Sequence, residues 1–234
     1  MLLRCRCIDG YSRRIMWLKC AYSNHSPQLI ASYFVECTSA IGGFPSTVRT
    51  DCGTENVLLA AIQVWSTGNN QGHLYGTSPS NQRIESWWSF FRRCHSQGSI
   101  DFFESMVADG LYQRGNVRQT ECIRFCFMGL LQENLDRIAL EWNTHRIRPS
   151  PGARCPAGIP DALYFLPPAS AQNCITAALG PLPPELVQQL QPSRPCEDES
   201  LLQYMLYLCQ FHGWTAPTSA DDAKQLYQNI MHFL

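Results

Sequence analysis

A mixed α/β body, followed by a proline-rich connector and a small helical tail, is the architecture this sequence predicts. Three observations predict it. Through about residue 165, short strand-like segments alternate with segments whose apolar residues recur at helical spacing, the pattern of helices layered on a sheet. Eleven of the fifteen prolines then fall between Pro149 and Pro195, a density that reads as extended or loop-like chain. Beyond it, two short amphipathic patterns close the sequence. The expected organisation is a body over residues 1–165, a connector over 166–198 and a helical tail over 199–234.

In chain order, Leu2–Ile8 and Arg14–Cys20 are expected strands, and Asp9-Gly10 between them is a hairpin signal. Ser26-Pro27 predicts a helix start: the serine caps free N–H groups, and proline at the first helical position lacks only an N–H that would be unpaired anyway. Leu29, Ile30, Tyr33, Phe34 and Cys37 mark its apolar stripe, and Gly42-Gly43 its end. Ser46–Thr50 is an expected third strand that ends at Asp51-Cys52-Gly53. Thr54–Trp65 is an expected helix with Leu58, Leu59, Ile62 and Trp65 on one side. His73–Thr77 reads as a fourth strand and Asn81–His95 as a helix carrying Ile84, Trp87, Trp88 and Phe91. Helices are expected near Ile100–Leu111, over Glu121–Trp142, and at Glu199–Phe211 and Ala220–Phe233.

Of 234 residues, 45% are apolar and 16% charged. That supports a core of useful size and argues against a disordered chain. A formal charge of −1 excludes a strongly basic nucleic-acid binder over the whole molecule. The halves differ, however. Residues 1–154 hold 16 Lys/Arg against 12 Asp/Glu, and residues 155–234 hold 2 against 7. The basic residues of the first part are all Arg except Lys19, and Arg suits bidentate phosphate contacts. Twelve cysteines without an apolar leader segment read as reduced thiols of a nuclear or cytoplasmic chain, several buried as small hydrophobes. The long uncharged run after Asp161 is broken by Pro167, Pro168, Pro181, Pro183 and Pro184, so no membrane helix is expected.

Four short patterns carry the chemistry. Asp9-Gly10-Tyr11-Ser12-Arg13 lies in the hairpin. Thr50-Asp51-Cys52-Gly53, continuing to Asn56, leads an aspartate off a strand end into a glycine turn. Ser78-Pro79-Ser80-Asn81-Gln82-Arg83-Ile84-Glu85-Ser86 puts Glu85 near a helix start, with 33 residues between it and Asp51. Trp142-Asn143-Thr144-His145-Arg146 precedes Pro156-Ala157-Gly158. Two carboxylates brought together from a strand end and a helix can hold a hard divalent cation through oxygen. Two-metal phosphoryl transfer needs several such groups around ions ~3.5–4 Å apart.

Taken in this order, the four patterns resemble the integrase core of retroviruses, retrotransposons and cut-and-paste DNA transposons. The likeness is closest to the integrase-core proteins that animal genomes carry as domesticated transposon remnants, and it covers about residues 1–165. It implies an RNase H-like fold, a mixed sheet flanked by helices. It also implies Mg²⁺- (or Mn²⁺-) dependent phosphoryl transfer, with DNA as partner. Residue by residue, it implies Asp51 and Glu85 as catalytic metal ligands and Arg92 as a basic DNA contact on the Glu85 helix. Arg93 beside it is a candidate phosphate contact. Ser89 stands where the family often has Lys or Arg.

The resemblance also implies a gap. In the family the Asp-x-Tyr-Ser-Arg hairpin joins the second and third strands, and the first catalytic Asp lies upstream on the first strand. Only eight residues precede Asp9, and 41 separate it from Asp51, short of the family's usual interval. Asp9 is therefore expected to be a hairpin residue, and this chain an N-terminally incomplete core that begins at the second strand. The inner edge of the Leu2–Cys20 hairpin would then lack its main-chain partner.

Plainer readings stand beside these. Asp51 can support a tight turn with Gly53, and Glu85 or Arg92-Arg93 can be solvated helix positions. Cys122 and Cys126 share a helix face, but no second pair follows at zinc-finger spacing, so core packing is expected. One or both of Trp87 and Trp88 are expected against the sheet, although tryptophans also stack on bases. Glu197-Asp198-Glu199 reads as an acidic helix start, favourable to the helix dipole. Two functional expectations follow. One is a DNA-integration-related protein, catalytically incomplete. The other is a non-catalytic protein-interaction module that retains the fold and contacts a partner through the C-terminal region. A homo-oligomer is compatible with either.

Overall fold

The computed structural model describes residues 3–23, 25–76, 87, 91, 97–149, 151, 155–168, 175–176, 180–190 and 196–234. The chain opens with an antiparallel hairpin of β1 (Leu3–Ile8) and β2 (Ile15–Ala21), in register from Leu3 opposite Ala21 to Cys7 opposite Trp17, with an irregularity before Ile8. Asp9 makes the turn. Its Oδ2 accepts from the Tyr11 N–H (3.1 Å), the Ser12 N–H (2.7 Å) and the Ser12 hydroxyl (2.7 Å). The turn's left-handed residue is Arg13, φ +64°, rather than the glycine of the Asp-Gly pair. A non-glycine residue holds that conformation where its surroundings fix it, and Arg13 is held at both ends, as described below.

Helix α1 (Pro27–Ile41) begins at Ser26, whose hydroxyl accepts from the Leu29 N–H, and ends at Gly42 in the left-handed conformation. Two short strands follow, β3 (Phe44–Pro45) and β4 (Val48–Thr50). A 3₁₀ turn (Thr54–Asn56) leads into α2 (Val57–Thr67), and β5 (His73–Tyr75) pairs parallel with β4. In α2 the buried face is Leu58, Leu59, Ile62, Gln63 and Ser66, and Trp65 is 57% exposed. This corrects the expected apolar side. At 100° per residue, Trp65 falls about a quarter-turn from the centre of the buried arc.

Helix α3 (Gln97–Ala108) precedes the long α4 (Val117–Thr144), which Asn116 caps through the Gln119 N–H. The proline-rich stretch departs from the extended chain expected of it. It holds α5 (Pro160–Phe165), β6 (Ile175–Thr176, antiparallel to β3) and α6 (Pro184–Gln189). Pro160 and Pro184 each occupy a first helical turn, where proline starts a helix rather than breaking it. Helices α7 (Glu199–His212) and α8 (Ala220–Met231) close the chain.

Among the described residues the strands form three separate two-stranded ladders: β1–β2, β3–β6 and β4–β5. Among the described residues four apolar clusters organise the fold, one of them Ala21, Tyr22, Leu29 and Tyr33 between β2 and α1. Ala31, Phe34, Phe44, Leu58, Leu59 and Ile62 join α1 to α2, with Leu182, Leu186 and Leu190 packed on them. Ile15, Leu18 and Cys20 of β2 pack on Met128, Leu135 and Ile138 of α4, together with Trp87 and Phe91. Met106, Cys122, Cys126 and Phe127 share the fourth cluster with Met205, Leu208, Leu226, Tyr227 and Ile230, so α7 and α8 are built onto α3 and the first half of α4. No described helix is long and apolar enough to cross a membrane.

Candidate functional site

β4 and β5 run in parallel to the same rim, with Val48 opposite His73 and Thr50 opposite Tyr75. The carboxyl ends of strands in α/β layers are where ligands bind. Asp51 leaves β4 at that rim with its side chain exposed. The turn that follows brings Asn56, a buried residue at the foot of α2, back toward it. The Asn56 N–H donates to the Gly53 carbonyl (3.2 Å), and the Asn56 amide donates to Asp51 Oδ1 (2.8 Å). The Glu55 carboxylate folds against Gly53, where any Cβ would collide with it. A side chain at position 53 would displace Glu55 from the rim.

His73, opposite Val48 at the other end of the ladder, reaches the rim with its side chain. Its Nε2 lies 3.1 Å from the Thr50 hydroxyl, and its ring meets Tyr75 edge-on at 4.5 Å. Burial pushes the imidazole pKa below its usual value, so it is neutral at pH 7 and supplies no cation for a phosphate. Asp51 thus presents an oriented carboxylate, one oxygen tied to Asn56, of the hard oxygen type that suits Mg²⁺ or Mn²⁺. Among the described residues no three His, Cys, Asp or Glu side chains converge as a metal-binding set. Glu85, Arg92 and Arg93 lie outside the described residues. Two neighbours in that stretch, Trp87 and Phe91, are helical and buried, their rings stacked at 5.3 Å. That agrees with the helix and the tryptophan burial expected there.

The first and last sequence patterns meet in space, and their role is structural. Arg13 donates through Nη2 to the Pro156 carbonyl, while its own carbonyl accepts from Trp142 Nε1 at 2.8 Å. Arg14 pairs with Asp161 at 2.7 Å and lies over the rings of Tyr164 and Phe165. Asn143, buried, accepts from the Ile15 N–H (2.7 Å) and donates to the Ile15 carbonyl (3.1 Å). Gln132 does the same for the Cys20 N–H (2.8 Å) and the Leu18 carbonyl (3.0 Å). Two amides of α4 therefore stand where a strand would pair with the free edge of β2. With three donors on one oxygen, Asp9 is the hairpin residue it was expected to be.

The residue pattern singles out Asp51 but neither Asn56 nor His73. The available signal was weak: Asn56 ends the Thr-Asp-x-Gly pattern five residues after Asp51, and His73 lies on a strand whose partner only the fold reveals. Cys122 and Cys126 are core residues, 0% and 1% exposed. The hydrogen bond with Cys122 and burial raise the Cys126 pKa, keeping it a thiol. Asp198 caps α7 by accepting from the Leu201 N–H (3.0 Å), and Glu197 and Glu199 flank it, exposed, as the acidic helix start predicts.

An α/β body that presents an aspartate at a strand-end turn, with a hairpin locked to a distal Trp-Asn helix end, defines the class. The integrase core domain family model matches residues 2–159, about two thirds of the chain. The protein belongs to the integrase core domain family, related to DNA integration by transposons and retroelements. No curated protein and no solved structure gives a significant match to this chain.

Proposed function

We propose that this chain is a transposon-derived integrase-core protein that binds DNA through its phosphates and performs little or no strand transfer on its own. The observation that carries the reading is Asp51: its carboxylate, exposed at the β4 rim and oriented by Asn56, supports reading it as the family's second catalytic aspartate. A divalent cation held by Asp51 and Glu85 would neutralise charge on a phosphodiester. Asn56 fixes the Asp51 carboxylate, and Arg92 and Arg93 contact flanking phosphates. Asp9 is committed to the hairpin and supplies no third ligand. Among the described residues no strand joins the β1–β2 ladder to the β4–β5 ladder, which is compatible with an incomplete RNase H-like sheet.

Two measurements test this. Anisotropy of a labelled duplex titrated with the full chain should show binding that weakens with salt. Arg92→Ala with Arg93→Ala should flatten the log–log salt slope by about 1.8, two phosphate contacts' worth. Salt-independent binding, or none, overturns the DNA reading. Strand transfer on a labelled end substrate in Mg²⁺ or Mn²⁺ should give no product above background. Product that Asp51→Asn abolishes overturns the incompleteness. A second reading, a non-catalytic interaction module, is favoured by residues 196–234. They lie beyond the family match yet share a core with α3 and α4. Absent DNA binding, together with a partner held through these residues, would support it.

A further inference from the structure

Helix α7 is apolar on two sides, and only one of them is used by its own chain. Met205 and Leu208 point into the cluster shared with α3, α4 and α8 and are 0% and 3% exposed. Away from that side Tyr204, Tyr207 and Phe211 form one stripe, 40%, 56% and 69% exposed, while Leu206, 46% exposed, lies on a different side of the helix. After Glu199, this 14-residue helix carries no Asp, Glu, Lys or Arg. A helix apolar all round belongs in a buried setting, and this one is buried on one side.

Three features of the outer side identify what covers it. The spacing is the first. Ser200, Tyr204, Tyr207 and Phe211 recur at four, three and four residues, the seam spacing of one helix lying along another at about 20°. Their rings are already set, with Tyr207 and Phe211 stacked at 5.8 Å, so little side-chain freedom is lost on contact. Charge is the second. The flanking positions Gln203 and Gln210 are neutral amides, so nothing on this face repels an identical face. Polarity is the third. If two copies of α7 pair antiparallel about a two-fold axis near Tyr207, Glu199 of each approaches the His212 end of the other, and the helix dipoles oppose.

We infer that the outer face of α7 pairs with the same face of a second copy of this chain, forming a two-fold, antiparallel helix–helix contact. The inference is independent of whether the chain binds or cuts DNA. Free aromatic side chains carry about 200 Å² each, so the exposed fractions of Tyr204, Tyr207 and Phe211 leave roughly 330 Å² for burial per protomer. That is about two fifths of the ~800 Å² per partner typical of a stable complex, which makes this a weak, reversible dimer, with a dissociation constant on the order of micromolar or above.

Sedimentation equilibrium of the full chain, at concentrations from about 1 to 200 µM around that constant, reads it directly. The weight-average mass should rise from 26.5 kDa toward twice that value. Tyr207→Glu with Phe211→Glu should weaken association at least tenfold and leave helical circular dichroism unchanged. Leu140→Glu, an equally exposed apolar position on α4, should have no effect. Gln203 and Gln210 face one another across the two-fold axis, so Lys at both should weaken the dimer. Gln203→Glu with Gln210→Lys, which makes two intermolecular pairs only in the antiparallel arrangement, should tighten it. A monomer at every concentration overturns the inference. So does a dimer indifferent to these changes, or a monomer whose α7 face instead holds a helix of a different protein.

Discussion

Replacing Asn143 by alanine tests whether α4 closes the β2 edge with side-chain amides. Asn143 and Ile15 are 6% and 4% exposed, and the amide satisfies both the N–H and the C=O of Ile15. Removing it strands two buried backbone groups at about 1–3 kcal/mol each. Water entering the vacated space recovers part of this, so a net loss of about 3 kcal/mol is expected. In a chain of this length each kcal/mol moves Tm by about 2–4 °C, which predicts a fall of roughly 6–12 °C. The Asn143→Asp variant keeps an acceptor for the Ile15 N–H but sets a carboxylate oxygen against the Ile15 carbonyl. Its carboxyl would therefore hold a proton more tightly folded than unfolded. Its deficit should be largest at neutral pH and shrink as pH falls below the carboxyl's folded pKa. Thermal melts at pH 7 and pH 4.5, referenced to the unsubstituted chain, give both numbers. A Tm within about 2 °C of the parent for Asn143→Ala would refute the clasp.

Other expectations follow from single contacts. Glu121 is buried, pairs with Arg124 and accepts from the Glu197 N–H at 2.9 Å. Glu121→Ala leaves the largely buried Arg124 guanidinium, 14% exposed, without this partner and should cost about 3 kcal/mol, with residues around 196–198 becoming cleavable in limited proteolysis. The Tyr227 hydroxyl donates to the Leu111 carbonyl (2.8 Å), and burial pushes its pKa up to about 12. The folded state thus holds this proton more tightly than the unfolded. The resulting stability is complete below about pH 10 and lost as pH rises toward 12. Tyr227→Phe should cost about 1 kcal/mol at pH 7 and blunt the alkaline loss seen by circular dichroism. Cys52 is exposed beside Asp51, while Cys20, Cys122, Cys126 and Cys196 are buried. Brief iodoacetamide treatment of the folded chain, mapped by peptide mass, should label Cys52 ahead of those four.

The elements were legible because each leaves a local mark. Ser26-Pro27 and Gly42 fix both ends of α1 by capping and a left-handed residue, and the Asp51 turn is written in seven consecutive residues, Thr50 to Asn56. What was not legible depends on residues far apart in sequence. Nothing near Asn143 says that its amide reaches Ile15, 128 positions away, or that Arg13 rather than Gly10 takes the positive φ because Pro156 and Trp142 hold it. A motif residue found in the expected order can be there for the fold alone. Two of the four patterns, the hairpin and the Trp-Asn helix end, are of that kind, and only the Asp51 turn, among the described residues, faces solvent with a ligand-type oxygen. Proline density misled for a related reason. It reports where helices cannot continue, but at Pro160 and Pro184 the prolines begin helices, and Leu186 and Leu190 then reach the α1–α2 cluster. Apolar periodicity has the same limit in α7. It marks Met205 and Tyr207 alike as residues that avoid water, and only the fold shows that the chain itself covers the first and not the second.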